Sequence, residues 1–394
     1  MSAGTTTISE ARRWSMLAAT VIAQAGASVA INGPAFLIPT LHETRGLSLG
    51  EAGTVAAMPF AGVMLALYLW GRVVDRTGEK LVLTTGLAGT ALLSVVATRV
   101  TDSLVALCLA LFAVGLFAAS TASASGRIVV GWFRPQRRGL AMGIRQMAQP
   151  LGVAIAAVTI AVTAERAGVE TALWVPVAAA ALALLVVVPV VADPPRPAAT
   201  PELTANPYRV SSFLWRVHGV SVLLVIPQVL LWTFALTWLV QERSWSAAAA
   251  GSLVAATHVL GALGRIAVGQ LSDMVGSRMR PLRWVAVAAG ASMAALALLE
   301  AWPVAVALLV IAATATVADN GLAFTSVAER AGSFWSGRAL GVQNTVQYVT
   351  AAAVAPAAGL AITQWGYAGA FGACAAFPVV AVWLVPRADE TATG

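Results

Sequence analysis

The chain has 394 residues, of which 59% are hydrophobic and only 10% are charged, and its mean hydropathy is +0.82. This composition excludes an ordinary soluble domain and is typical of an integral membrane protein. The net charge of +7 does not indicate nucleic-acid binding, because the basic residues are spread over short turns between apolar segments.

Twelve apolar runs are separated by polar turns, and nearly all approach or exceed the roughly 20 residues that a bilayer-spanning helix needs. The runs fall at about 14–40, 50–72, 81–98, 103–131, 138–163, 171–193, 212–239, 246–270, 282–300, 304–327, 338–364 and 368–386. No cleavage-like site follows the first run, so we expect it to stay as an anchor. The pattern predicts an all-α membrane protein with twelve transmembrane helices.

A proline-rich segment lies between the sixth and seventh runs. It contains Pro194, Pro195, Pro197, Pro201 and Pro207. So many missing backbone donors exclude a regular helix and favour an extended linker. We therefore predict an N-terminal six-helix bundle at 1–193, a cytoplasmic linker at 194–211 and a C-terminal six-helix bundle at 212–394.

The basic residues predict the orientation. One side holds both termini, the linker and the charged turns, and it takes most of the 24 Lys and Arg residues. The other side takes only four, which are Arg45, Arg99, Arg166 and Arg243. The positive-inside rule then predicts a multi-pass protein of the cell membrane with both termini cytoplasmic. Cys108 and Cys374 fall inside apolar runs and indicate neither a disulfide nor a metal site.

A charged turn after the second run, residues 71–80, recurs 198 positions later. Gly269, Asp273 and Gly276 correspond to Gly71, Asp75 and Gly78, and the same offset pairs further serines and glycines on both sides of the turn. One offset held over about ninety residues indicates that the second half repeats the first as a parallel copy. We therefore expect function to lie between the halves.

The chain resembles the major facilitator superfamily (MFS) of secondary transporters. The resemblance rests on the six-plus-six repeat, the central linker and the pattern G-x-x-x-D-R-x-G-x-K at 71–80, and it covers essentially the whole chain. The second copy departs from the pattern at Met274, which replaces the arginine after the aspartate. The resemblance implies two bundles that rock around a central site lined by the first, fourth, seventh and tenth helices.

We interpret the charged turn as a conformational latch. Gly71 and Gly78 allow close helix approach and a tight turn, and Asp75 can face the start of a helix in the other half. Arg76 and Lys80 complete the turn. In the alternative interpretation, the charges only fix the topology of the chain.

Repeat symmetry predicts the partners of the two latch aspartates. We expect Asp75 near the start of the eleventh helix, at residues 337–338. Asp273 should correspondingly lie near the start of the fifth helix, at residues 138–139. Such contacts would hold the cytoplasmic side shut.

Ionisable residues inside apolar runs are few and are functional candidates. Asp319 is the predicted proton carrier, because burial disfavours the charged carboxylate; the alternative is a permanent ion pair with an arginine. His258 is either a second proton-coupling residue or a packing group.

Arg265 is the predicted substrate-binding cation. The run 265–273 is similar to the eighth helix of the oxalate/formate and monocarboxylate branch, where an arginine at this position binds the substrate carboxylate. The oxalate exchangers also use a lysine on the eleventh helix, where this chain has Gln343, Asn344, Gln347 and Tyr348. A monoanion is therefore favoured, unless Arg145 supplies a second charge. Alternatively, Arg265 snorkels to the interface.

Three polar residues complete the predicted substrate site, namely Asn320, Gln343 and Tyr348. Trp232 and Tyr348 either line the cavity or pack within it.

The leading functional interpretation is proton-coupled uptake or exchange of a small organic anion by a monomer without a cofactor. The alternative is a proton-driven drug or metabolite exporter, although the glycine-proline motif of such exporters is replaced by Gln149-Pro150. An enzyme or an ATP-driven pump would need motifs that the sequence lacks. A channel or a substrate-sensing receptor stays open. The expected partners are a small molecule, protons and the bilayer, with no nucleic acid.

Overall fold

The computed structural model describes residues 8–196 and 198–391, and across these ranges the chain is helical without a strand. Nine of the described segments are long and apolar enough to cross a membrane. The longest, Ala305–Leu384, has a non-helical backbone at Gly332 and Gly366 and therefore forms three helices. Together with the shorter apolar helix Trp174–Val190, this makes the twelve helices that the apolar runs predict.

The first six helices come before the linker. They are α1 (Glu10–Asn32, continued by the 3-10 turn Gly33–Leu37 and by Ile38–Arg45), α2 (Leu49–Thr77), α3 (Glu79–Arg99), α4 (Leu104–Trp132), α5 (Pro135–Gln146 and Ala148–Ala172) and α6 (Trp174–Val190).

The other six follow it. They are α7 (Phe213–Gln241), α8 (Ala247–Val275), α9 (Met279–Leu298), α10 (Ala305–Ala315 and 319–331), α11 (333–365) and α12 (367–384).

The linker is not extended throughout, which corrects the expectation drawn from its prolines. It contains two four-residue helices, Pro201–Thr204 and Pro207–Val210. Each begins with proline, and at the first position of a helix the missing N–H costs nothing because that donor has no partner within the helix.

The repeat of 198 residues is also present in the backbone. Positive φ angles, which favour glycine, occur at three pairs of positions with this spacing: Gly46 and Ser244, Gly78 and Gly276, and Gly168 and Gly366. The first two pairs lie at turns between consecutive helices, and the third pair consists of a break inside the segment Ala148–Ala172 and the turn between α11 and α12. The sign of φ is thus shared at three corresponding positions, although ψ differs at the second pair, being 166° at Gly78 and 25° at Gly276.

The starts of α2 and α8 show the same correspondence. The side chain of Ser48 accepts a hydrogen bond from the N–H of Glu51, and 198 residues later the side chain of Ser246 accepts one from Ala249. A serine at this position satisfies one of the N–H groups that the first turn of a helix leaves without a partner.

The chain divides into two compact units. The first comprises 8–133 and 147–196, and the second comprises 134–146 and 198–391. The start of α5, Pro135–Gln146, thus belongs to the second unit. The domain boundaries predicted from the linker stay a prediction.

In the first unit, α4 packs against both α2 and α3, and α1 packs against α5 and α6. Glycines allow α2 and α4 to touch backbone to backbone. A Cβ atom on Gly62 or on Gly115 would lie closer than 3.0 Å to a carbonyl of the facing helix. Such close packing through small residues is typical of membrane helices, which have no water to exclude.

In the second unit, α7 packs against the helices of the last segment, and Trp238 lies at the centre of the apolar core. Trp238 is fully buried and packs edge to face with Phe371, with ring centroids 6.1 Å apart. Its indole N–H donates to Glu300 at 2.8 Å, so the one polar atom of this side chain has a partner.

Candidate functional site

Within the second unit, the start of α5 and the end of α8 approach each other at backbone distance. A Cβ atom on Gly139 would lie closer than 3.0 Å to the carbonyl oxygen of Gly269, and one on Gly269 would be equally close to the carbonyl of Gly139. One turn further along α5, a Cβ atom on Gly143 would lie 2.7 Å from the carbonyl oxygen of Arg265. Glycine at these positions therefore brings the end of α8 against α5.

Asp273 lies where the repeat predicts it, at the start of α5. Its Oδ1 accepts a hydrogen bond from the backbone N–H of Gly139 at 2.9 Å, and its Oδ2 accepts one from Leu140 at 2.8 Å. The position near residues 138–139 is thus confirmed, and its role as a latch stays a prediction.

Arg278 ties the same contact to two further groups. Its Nη1 donates to Asp273 at 2.5 Å, and its Nη2 donates to the carbonyl oxygen of Pro135 at 2.7 Å. Glu329, at the end of α10, accepts from Arg278 and from Arg138, each at 3.4 Å. Glu329 was not identified from the sequence, although an acid on the predicted cytoplasmic side, which is rich in arginine, is a usable signal. We call the four charged residues Asp273, Arg278, Glu329 and Arg138 the latch cluster.

The corresponding turn of the first unit, residues 71–80, is contacted by two residues that follow α6. Gly71 and Asp75 are buried, Arg76 is exposed and Lys80 is half-buried. Gly78 has a φ of 102°, and a Cβ atom there would lie 2.6 Å from an oxygen of Asp193. Glycine is therefore required at this turn for both its conformation and its size. The predicted contact of Asp75 with residues 337–338 stays a prediction.

Two residues that follow α6 organise this turn. Oδ1 of Asp193 accepts from the backbone N–H groups of Glu79 and Lys80, both at 2.7 Å, and so caps α3. Arg196 donates to the carbonyl oxygens of Val74 and Asp75, both at 2.8 Å, and so caps the end of α2. Neither residue was identified from the sequence, because their partners are distant backbone atoms.

Glu79 is a further buried charge that sequence reasoning missed. Its side chain is fully buried, and Oε1 lies 2.5 Å from Nη1 of Arg127 on α4. Nη2 of Arg196 lies 3.8 Å from the same oxygen. The acid lies in the turn that was already singled out, but its burial depends on α4 packing over it.

Arg265 on α8 is buried and held by two backbone carbonyls. Nε donates to Val317 on α10 at 3.2 Å, and Nη1 donates to Gln146 on α5 at 2.8 Å. Among the described residues, Nη2 has no hydrogen-bond partner. Arg265 is only 5% exposed, so it does not reach the interface in the way that snorkelling requires.

Asp319 begins the second part of α10, close to Arg265. The residue is 1% exposed, and neither carboxylate oxygen makes a hydrogen bond of normal geometry in the described part of the chain. The backbone N–H groups of Asp319 and Asn320 lie nearby, and Arg265 is the charged group that acts on it electrostatically. The described contacts include no direct ion pair between the two side chains.

Arg145 on α5 is the second buried arginine of this region, and it is 2% exposed. Its Nη1 donates to the side-chain oxygen of Gln146 at 2.7 Å, and its guanidinium lies 5.6 Å from the ring centroid of Phe324 on α10. Both guanidiniums therefore contact Gln146, Arg265 through the backbone carbonyl and Arg145 through the side chain.

Three amide side chains meet next to Asp319. Nδ2 of Asn320 donates to Oε1 of Gln228 on α7 at 3.4 Å, and Nε2 of Gln347 on α11 donates to Oδ1 of Asn320 at 3.0 Å. Asn320 was predicted as a substrate contact, whereas Gln228 was not, because a single glutamine in an apolar helix has no distinctive pattern.

Gln343 lies in a separate network one turn before Gln347. It is fully buried, donates to Ser221 on α7 at 2.6 Å and accepts from Nδ1 of His218. Nε2 of His218 meets the hydroxyl of Tyr208 in the linker at 2.9 Å. The described structure thus places Gln343 among internal partners, with no contact to Arg265.

The other two candidate residues are His258 and Tyr348. His258 is half-buried, and its ring stacks on Trp232 with centroids 5.3 Å apart and planes at 24°. Tyr348 is half-buried and lies next to Gln347 on α11. Across the described residues, no group of three or more His, Cys, Asp or Glu side chains could hold a metal ion.

The sequence pattern of the Major Facilitator Superfamily matches residues 18–355. The chain belongs to this superfamily. It is a multi-pass membrane transporter rather than an enzyme. An uncharacterized MFS-type transporter of Mycobacterium tuberculosis strain H37Rv is 46% identical over 379 residues, which cover 95% of this chain and 85% of that protein. Its counterpart in strain CDC 1551 is 45% identical with the same coverage.

Solved MFS structures share the fold at low sequence identity. The fucose:proton symporter of E. coli is 15% identical with a TM-score of 0.76, covering 95% of this chain and 98% of the symporter. A proton:xylose symporter is 12% identical with a TM-score of 0.78, covering 98% of each chain. A human organic anion transporter is 16% identical with a TM-score of 0.75, covering 95% of this chain and 99% of its own. These likenesses concern the twelve-helix fold of the MFS transporter alone.

Proposed function

We propose that this MFS transporter is a secondary transporter of the cell membrane that takes up or exchanges a small organic anion, of the monocarboxylate kind, together with protons. It works by alternating access, as a monomer with both termini in the cytoplasm. The observation that carries the proposal is the environment of Arg265, a buried cation held by two backbone carbonyls that forms no ion pair with a carboxylate side chain of the described residues.

The two backbone contacts of Arg265 determine what it can bind. Because Nε and Nη1 are engaged by the carbonyl oxygens of Val317 and Gln146, the guanidinium plane is fixed. Nη2 stays available to donate to a ligand. A planar, preorganised guanidinium suits a carboxylate better than a flexible ammonium would.

Arg145 adds a second cation on the other side of Gln146. Its guanidinium faces Phe324, so positive charge and an aromatic face lie close together. The field of two neighbouring guanidiniums attracts an anionic substrate and gives no such gain to a neutral sugar.

Asp319 supplies the coupling to protons. When its carboxylate is ionised, it competes with a substrate carboxylate for the field of Arg265. When it is protonated, that competition ends and the anion binds more tightly. Because binding linkage is reciprocal, a bound anion also favours the proton on Asp319, and the two move together.

The amide cluster formed by Asn320, Gln228 and Gln347 supplies neutral donors and acceptors beside these charges. An amide side chain can give up a hydrogen bond to another amide and form one with a substrate instead, and the net charge of the site does not change. We assign them to the recognition of polar groups on the substrate.

A thermal-shift screen of the purified protein against small carboxylates and lipophilic cations at two pH values tests the proposal. A ligand that binds only the folded state raises stability by RT ln(1 + [L]/Kd). We expect carboxylates to raise Tm, more so at the lower pH, and we expect Arg265→Gln to remove the shift. Arg166→Gln, at an exposed arginine near the end of α5, serves as a matched control and should keep the shift in Tm.

The opposite result would favour the export alternative. Asp319 is a buried carboxylate for which the described residues supply no direct ion pair, and such a group can also bind a cation. If only lipophilic cations stabilise the protein and Asp319→Asn removes their effect, the anion proposal is wrong and Asp319 is the substrate-binding acid.

A further inference from the structure

Trp232 on α7 and His258 on α8 form an aromatic pair some distance along the helices from Arg265. Each lies on the helix face that also holds a polar residue of the candidate site. Trp232 lies one turn after Gln228 on α7. His258 lies two turns before Arg265 on α8, and seven residues return a helix to nearly the same face. The aromatic pair therefore continues the site along the two helices.

The two rings form a platform with unused surface. They stack at a centroid distance of 5.3 Å, yet Trp232 is still 37% exposed. The indole N–H of Trp232 has no hydrogen-bond partner among the described residues and can donate to a ligand.

His258 is oriented by its own helix. Its Nδ1 lies 2.9 Å from the carbonyl oxygen of Val254. Because a carbonyl can only accept, Nδ1 is the donor, and Nε2 is left without a partner in the described part of the chain. The backbone contact fixes the ring that supports Trp232, and both rings keep a polar atom for a ligand.

We propose that the substrate class is the aromatic monocarboxylates, with the carboxylate on Arg265 and an aromatic ring on the platform of Trp232 and His258. The inference rests on the proposed function and names its substrate. Two helical turns correspond to about 10 Å along α8. A molecule with a short chain between its carboxylate and its ring spans this distance, whereas acetate or butyrate reaches only one of the two levels.

The platform prefers a flat ring over an aliphatic group of similar size. A third ring can extend the stack or meet the indole edge to face, and such aromatic pairs are stabilised beyond the area that they bury. A saturated ring gains the burial but not this additional term. Comparison of the two therefore separates an aromatic site from an unspecific apolar surface.

Isothermal titration calorimetry of the full chain with butyrate, 4-cyclohexylbutyrate and 4-phenylbutyrate tests the inference. We expect 4-phenylbutyrate to bind about threefold to tenfold more tightly than its cyclohexyl analogue. Trp232→Leu should remove this difference and leave the affinity for butyrate unchanged. Trp232→Phe, which keeps a ring, should retain most of it, and Trp383→Leu, at an 83% exposed tryptophan of α12, serves as the control.

Two outcomes overturn the inference in distinguishable ways. If all three acids bind equally, or if Trp232→Leu leaves the preference for the phenyl group intact, the aromatic platform is wrong while the anion proposal stands. If no carboxylate binds the wild-type protein, the proposed function fails and this inference fails with it.

Discussion

Asp273 on α8 accepts a hydrogen bond from the backbone N–H of Gly139 on α5 at 2.9 Å, across a contact where neither helix has room for a Cβ atom. The second oxygen accepts from the next N–H of α5, and Arg278 pairs with the same carboxylate at 2.5 Å. One carboxylate thus joins the end of α8 to the start of α5 by three charge-assisted hydrogen bonds.

Asp273→Asn should weaken this junction. The amide oxygen can take the place of Oδ1 and keep the bonds from Gly139 and Arg278, but the NH2 group then faces the N–H of Leu140, and Arg278 loses its negatively charged partner. Loss of charge-assisted hydrogen bonds at a buried site costs about 1–3 kcal/mol. We expect a lower Tm and slower transport in proteoliposomes. Asp102→Asn, at an exposed residue, is the control. If both variants have the same Tm, the contact of Asp273 with α5 does not contribute to stability.

Asp75→Asn tests the latch in the first unit. Arg196 caps the end of α2 through backbone carbonyls, and this substitution leaves those bonds in place. We therefore expect the Tm to change little and the turnover of transport to fall, because the carboxylate would act on the rate of conformational exchange rather than on folding. Unchanged turnover in vesicles would show that Asp75 serves topology alone.

The close approach of α5 and α8 predicts a strong effect of a single methyl group. Gly269→Ala should destabilise the second unit, because the new Cβ atom would lie closer than 3.0 Å to the carbonyl of Gly139, which cannot move without its helix. Overpacking of this kind typically costs about 1–3 kcal/mol. Gly321→Ala is the matched control, since its Cβ atom would meet nothing closer than 3.6 Å. Equal Tm values for the two variants would contradict the packing argument.

The sequence was sufficient for the order of the helices and for the position of Asp273, because both follow from patterns that repeat along the chain. Apolar runs predict the helices, and the offset of 198 residues predicts which helix start Asp273 faces. Neither pattern depends on how side chains pack.

The interactions that the sequence did not predict are between side chains of different helices, and they depend on how those helices pack. Glu79 on α3 pairs with Arg127 on α4, and no repeat or motif in the sequence relates these two positions. Gln343 turned out to contact His218 and Ser221, because the facing helix is α7 at that level. A polar residue in an apolar run indicates that a partner exists, but the identity of the partner depends on which helix lies opposite.

The turns of the repeat predict opposite effects for two glycines of α8. Gly276 ends the helix with a φ of 66° and has nothing within 4 Å of a built Cβ atom, so only its backbone conformation matters. Gly276→Ala should cost about 1 kcal/mol. Gly251 is helical and its nearest contact would be 3.9 Å away, so Gly251→Ala should stabilise by up to about 1 kcal/mol. Thermal unfolding in one detergent measures both, and a shift of the same sign for both would contradict the argument.

Asp319→Asn separates proton coupling from substrate binding. Since Asn cannot release a proton, the variant should lose uptake driven by a pH gradient. It should keep exchange of internal for external substrate, because Arg265 retains its contacts with Val317 and Gln146. Counterflow in proteoliposomes measures the exchange, and it also distinguishes a carrier from a channel. His258→Gln is the comparison variant: we expect its uptake still to respond to the pH gradient, although loss of the ring that stacks on Trp232 lowers the affinity for an aromatic substrate. Normal pH-driven uptake by Asp319→Asn, or its loss in His258→Gln alone, would transfer the coupling role to the histidine.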